Sequence, residues 1–253
     1  MNWKIFLFSV AVALTVSSCA HKSGHRQNDW SQRNIDSTDV VNGRNTPAAK
    51  EDDRDLSVEY SDVRGEKYKM DGPEIFQKYN TAVFMVFTSD GFSGYQGSGF
   101  FINSDGLAVS NYHVFQGTNI GEEEIKLADS DKVYKVYEVL VKSEEEDFIL
   151  FRVNATNTNY LPLAKTQPRV GERVYAIGSP RGLENTFSSG EVSQWRATNL
   201  MQISALIDHG SSGGALINEY GEAVGITAAT FADGSQANLN YAWSVDILKP
   251  YFK

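Results

Sequence analysis

The sequence has a single cysteine, Cys19, among 253 residues, so no internal disulfide can hold the fold together. Cations are also in short supply. Lys and Arg number 23 against 32 Asp and Glu, a formal net charge of -9, and no basic stripe is visible. Binding to phosphates needs clustered cations, so no nucleic-acid partner is expected. The acidic runs Glu122-Glu123-Glu124 and Glu144-Glu145-Glu146 lack the alternating ligand spacing of a calcium loop and read as solvated loop charge. Neither a metal nor a cofactor is expected. Long segments of helical period are scarce, and no internal repeat is apparent. The one sustained apolar run, residues 5–16, is too short for a stable bilayer span.

That run has the length of a signal-peptide core and follows the lysine of MNWK. It ends in Val16-Ser17-Ser18-Cys19, small residues directly before a cysteine, which resembles a bacterial lipobox. The resemblance implies cleavage before Cys19 and lipid attachment to it; an ordinary signal peptide cut near Ala20 is the alternative. More than one acyl chain is needed for stable anchoring. Residues 19–71 are polar, mixed in charge and without apolar periodicity, so they cannot bury enough surface to offset the entropy of ordering. They read as a tether behind an 18-residue signal peptide (1–18), with the globular part at 72–253. His21 and His25 lie in the tether and are discounted as catalytic groups. The expected location is the bacterial cell envelope, lipid-anchored and facing the periplasm.

From residue 72 the texture changes. Short apolar or alternating runs at 82–87, 99–102, 107–110, 133–141, 148–153, 174–177, 223–227 and 241–245 are separated by turn residues, with hairpin signals at 104–106 and 218–221. Short helices are expected at 73–80 and 246–253. Many short strands with turn punctuation predict an all-β barrel or sandwich, and about 180 residues suffice for a real core.

Three places carry chemistry. GSGFFINSDGLAVSNYHVF delivers His113 after two strands joined by a tight turn; EEEDFILFRV places Asp147 directly before an apolar strand; HGSSGGAL sets Ser212 among glycines. Singly, these read as an ordinary histidine, a strand cap and a flexible turn. Together they supply the nucleophile, base and orienting carboxylate of acyl transfer, with glycines that let backbone N–H groups approach a developing oxyanion.

The order His, Asp, Ser and four motifs between about 97 and 245 resemble the trypsin-like serine peptidases, in their HtrA/Deg-like branch. GSGF with the N-x-H-V end is similar to the histidine region. EDFILFRV is similar to the aspartate segment, AIGSPRGLENTFSSGEVS to IGNPxGLxxTVTSGIVS, and GSSGGALINEYGEAVGI to GNSGGPLxNxxGxVxGI. The resemblance implies two six-stranded antiparallel barrels with the site in the cleft between them. It also implies Ser212 as nucleophile, His113 as base, Asp147 as orienter, and an oxyanion hole at Gly210, Ser211 and Ser212. His209 stands where the family often has proline and reads as a loop or subsite residue. Tyr241 with Ala242, Trp243 and Ser244 would be the edge strand that pairs with substrate. Leu206 would form the floor of the primary pocket, favouring apolar or small side chains.

Only about 40 residues follow Ser212 in this sequence, and the stretch before Met201 is short where PDZ-bearing relatives have a sensor loop, so neither a PDZ domain nor PDZ-based activation is expected. Nor is trypsin-type insertion of a freed N-terminus. Relatives trimerise through N-terminal segments, but the tether carries no such motif and gives no support for an oligomer. The leading expectation is a serine endopeptidase acting on envelope proteins. The alternatives are a catalytically silent trypsin-like binder of extended peptides, which a flipped amide at the unusual His209–Ser211 would produce, and an envelope scaffold.

Overall fold

Residues 107–110 (LAVS) and 148–153 (FILFRV) are apolar or small at almost every position, so neither segment can leave a face to water. The computed structural model, which describes residues 58–60, 65–128, 130–231 and 239–253, makes them neighbours. Strand β3 (Leu107–Ser110) pairs antiparallel with β7 (Phe148–Val153), from Leu107 opposite Arg152 to Ser110 opposite Ile149. Side chains alternate between the faces of a strand. Ala108, Ile149 and Phe151 therefore fill the inside of the first sheet with Phe84, Phe101 and Ile125. Leu107, Val109, Phe148 and Leu150 face the other way and join Tyr175, Ile177, Ala215 and Ile226 of the second sheet. Full burial of each Leu, Ile, Val or Phe among them is worth about 1.5–3 kcal/mol.

The first sheet has seven strands in the order β5-β4-β1-β2-β3-β7-β6. Its further members are β1 (Val83–Ser89), β2 (Gly94–Phe101), β4 (Glu124–Leu127), β5 (Val133–Tyr134) and β6 (Val136–Ser143). The second is a closed barrel ordered β10-β13-β12-β11-β8-β9, made of β8 (Arg173–Gly178), β9 (Thr186–Ala197), β10 (Leu200–Ile203), β11 (Ala215–Asn218), β12 (Ala223–Phe231) and β13 (Leu239–Ser244). Its own core holds Val174, Ala176, Met201, Ile203, Leu216 and Val224. The all-β class is as expected and the second barrel has its six strands. The first sheet differs, being curled but open, with β5 and β6 at its edges.

Between these edges lies Glu123, which is fully buried rather than solvated loop charge. Its carboxylate accepts the N–H of Gly121 at 2.7 Å and that of Val136 at 2.6 Å. Val136 stands opposite Val153 of β7 while its N–H goes to this side chain, and the apolar run 133–141 divides into β5, paired with β4, and β6, paired with β7.

Helix α1 (Gly72–Tyr79) opens on a capping box: Asp71 accepts the Glu74 N–H and the Glu74 carboxylate accepts the Asp71 N–H. The C-terminal helix is a 3-10 turn, Val245–Tyr251, with Pro250 inside it. The packed unit also begins earlier than residue 72. Val58 donates to Tyr251 O at 2.8 Å, Tyr60 stacks on Phe252 with ring centroids 4.6 Å apart, and Met70 N–H reaches Glu219 O at 2.7 Å. The expected signal peptide, Cys19 and most of the tether lie outside the described residues. Among the described residues no helix is long and apolar enough to cross a membrane.

Candidate active site

His113 stands on a one-turn helix, α2 (Tyr112–Phe115), directly after β3. Asp147 ends the β6–β7 turn with φ of 48°, a left-handed conformation sparsely populated by residues with a Cβ. Buried Asn111 holds it there, donating its amide to Asp147 O at 2.8 Å. The Asp147 carboxylate then grips His113 twice. Oδ1 accepts the His113 main-chain N–H at 3.0 Å, and Nδ1 of the ring lies 3.0 Å from Oδ1 and 2.8 Å from Oδ2. Asp147 is 5% exposed. A buried carboxylate at Nδ1 keeps the proton on that nitrogen and leaves Nε2 to accept another.

Ser212 comes from the second barrel, in the loop before β11. Residues 208–211 form a turn closed by Ser211 N–H to Asp208 O at 2.9 Å, with φ of 94° at Gly210 and no positive φ at His209. This combination defines a type II turn, which requires glycine-like φ at its third residue. Space demands glycine there as well: a Cβ on Gly210 would lie 2.4 Å from Gln96 Oε1. Asp208 caps the turn by accepting the His209 N–H at 2.7 Å. That bond and the Arg181 guanidinium hold the Asp208 carboxyl below the usual carboxylate range, against a burial penalty.

The first sheet reaches across to this loop through Ser98 of β2, which is fully buried. Its N–H donates to Ser212 O at 2.8 Å, its hydroxyl donates to Gly210 O at 2.7 Å, and the same hydroxyl accepts the Ser179 N–H at 2.9 Å. A Cβ on Gly97 would lie 2.6 Å from Val114 and 3.2 Å from Ser212 O. The neighbour of His113 and the carbonyl of Ser212 thus converge on one glycine. The expected site residues come from the two sides of this contact, His113 and Asp147 from the first sheet and Ser212 from the second.

Several expectations need amending. The Ser211 N–H is consumed by the turn, whereas the N–H groups of Gly210 and Ser212 meet no acceptor among the described residues. Ala242, Trp243 and Ser244 do not form an edge, because β13 pairs with β10 on one side and β12 on the other. The open edge belongs to β12, whose pairing with β11 runs only from Ala223 to Ile226 while its last residues pair with β13 alone. Leu206 is 64% exposed and cannot be a pocket floor. Finally, the Ser212 hydroxyl donates to Ala228 O, and no hydrogen bond joins it to His113 among the described residues. The sequence reading missed Gln96, Ser98, Asn111 and Arg181. The only available sign of Ser98 was its place in GSGF, read there as plain strand.

Two facing β sheets, with a histidine–carboxylate pair on one and a glycine-framed serine on the other, define the trypsin-like fold class. A structure of the serine endoprotease from Yersinia pestis shares this fold, with TM-score 0.64 and 23% identity over 72% of this chain and 65% of that one. The chain belongs to the trypsin-like peptidase domain family, whose profile matches residues 97–226. It is 35% identical over 167 residues to a "Probable serine protease do-like" of Buchnera aphidicola, covering 60% of this chain and 34% of that protein. It is 32% identical over 160 residues to a "Probable periplasmic serine endoprotease DegP-like" of Halomonas elongata, covering 60% and 33%. The chain thus spans about a third of the length of these two relatives.

Proposed function

We propose that the protein is a serine endopeptidase acting through an acyl-enzyme. The carrying observation is the double grip of buried Asp147 on His113, through ring Nδ1 and main-chain N–H. An isolated surface histidine has no need of such a partner, whereas a general base that must become charged does. Ser212 Oγ attacks the peptide carbonyl and its proton passes to His113 Nε2. The oxyanion is received by the N–H groups of Gly210 and Ser212. His113 returns the proton to the departing amine, and a water repeats the sequence to release the acid. Substrate enters as an added strand on the open edge of β12. A substrate N–H that takes Ala228 O displaces the Ser212 hydroxyl from it and frees that hydroxyl for His113.

The substrates in this reading are unfolded or damaged proteins of the bacterial envelope, or one dedicated target there. The protein is held at the membrane by lipid on Cys19 and a polar tether. The names of the periplasmic relatives support the compartment, and the lipobox-like Val16-Ser17-Ser18-Cys19 supports the anchor. A mature protein whose first residue carries no diacylglyceryl mass would remove the anchor from this account.

One observation favours a second reading, a silent binder of extended peptides: the Ser212 hydroxyl rests on Ala228 O. Full-length protein incubated with denatured casein separates the two. Fragments from the wild type and none from Ser212→Ala support the peptidase. Casein bound but left intact by the wild type supports the binder.

A further inference from the structure

We propose that Arg181 is a positioning residue for the oxyanion site, clamping the 208–211 turn in its type II form through both its main chain and its side chain; the proposal rests on the peptidase reading. Types I and II of a turn differ by rotation of the central peptide, here the one joining His209 to Gly210. In a planar trans peptide the C=O and N–H point in opposite directions, so whatever holds the His209 carbonyl also aims the Gly210 N–H. That holder is the Arg181 main-chain N–H, 2.8 Å from His209 O. The Arg181 side chain fastens the first residue of the same turn, with Nε 2.7 Å from Asp208 Oδ2. Rotating the peptide would break the contact to Arg181 and put the His209 carbonyl where the oxyanion must sit.

The clamp is itself anchored. Arg181 has φ of 53°, a left-handed conformation that a side chain adopts only when its surroundings impose it. Gln96 of β2 imposes it, accepting the Gly182 N–H on Oε1 at 2.8 Å and donating from Nε2 to Ser179 O at 2.6 Å. The hold on the oxyanion turn therefore runs from the first sheet, through the 179–182 turn, to Asp208 and His209. In the segment AIGSPRGL, Arg181 stands at the position the family motif leaves open. The ion pair is thus a feature of this chain's own residues.

Two variants isolate the side chain. Arg181→Gly keeps the left-handed backbone at no steric cost and removes the side chain with its guanidinium. Asp208→Asn keeps an acceptor for the His209 N–H and removes the charge. Both groups are well exposed, so the melting temperature should stay within about 1 °C. The readout is saturation kinetics of phosphonylation by an alkyl fluorophosphonate, on the full-length protein. The maximal rate should fall about fivefold in each variant with the half-saturating concentration unchanged, and the double variant should fall no further. Arg181→Lys should recover part of the loss. Unchanged rates in both single variants, or losses that multiply in the double variant, would overturn the clamp while leaving the peptidase reading intact. A wild type that does not react at all would overturn both.

Discussion

The two halves of the proposed site, a base half and a nucleophile half, are built differently. On the first sheet, His113 and Asp147 are completed locally: a one-turn helix, a short turn and the amide of Asn111 suffice, and both carboxylate oxygens of Asp147 are already in use. On the second barrel, Ser212 depends on distant groups. Ser98 crosses from the other sheet to bond Ser212 O and Gly210 O, and Arg181 holds His209 O. The base half is thus fixed by its own fold. The nucleophile half is fixed by the contact between sheets, and its hydroxyl still lies on Ala228 O. Whatever alters the packing of the two sheets should act on Ser212 before it acts on His113.

The largest loss is expected within the base half. Asp147→Asn keeps the shape of the side chain but favours the wrong imidazole tautomer. The turnover number should fall about 10⁴-fold, with little change in melting temperature, measured on any substrate the wild type cleaves. The next effect attacks the bridge between halves. Ser98→Ala leaves the Ser179 N–H and Gly210 O without their partner in a buried site, costing about 3 kcal/mol and lowering the melting temperature by about 6–12 °C. Activity of the folded fraction should drop too, because the Gly210 turn loosens, and the His113–Asp147 bonds should persist, as proton resonances of the imidazole would show.

The smallest effect is expected away from the nucleophile, at Glu146. Burial holds the Glu146 carboxyl above its ordinary value of 4.5. The charged form is therefore disfavoured by folding. That penalty is present above the raised folded value and disappears as pH falls to the unfolded value. Glu146→Gln should raise the melting temperature by about 1–2 °C near pH 7, and the gain should vanish below about pH 4. A gain that persists in acid would mean that packing, not charge, is responsible.

Much of this molecule can be read in one dimension where chemistry is local. Strand β3 coincides with the apolar run 107–110, and β7 with 148–153, because both are buried on two faces and show it at almost every residue. His113, Asp147 and Ser212 stand out by their conjunction and by the order of the motifs around them, since each alone reads as an ordinary residue. Strand β9 is the contrary case: TFSSGEVSQWRA is polar and largely exposed, so no alternation marks it. The open edge falls on β12 and not on the expected β13, because an edge is a property of which strands pair, and pairing is nonlocal. Glu123 read as loop charge because nothing in the string tells that Gly121 and Val136 N–H groups will converge on it. Ser98 and Arg181 were opaque for the same reason, since each acts on residues about 30 to 110 positions away.

The most direct test of the account is to treat the full-length protein with a fluorophosphonate and map the adduct by peptide mass spectrometry, beside Ser212→Ala and Ser211→Ala. A single adduct on Ser212, absent from Ser212→Ala and retained in Ser211→Ala, is the expected result and would establish an activated serine. A folded wild type that takes no label, or label that follows Ser211, would contradict the assignment of Ser212 as the nucleophile of a formed site.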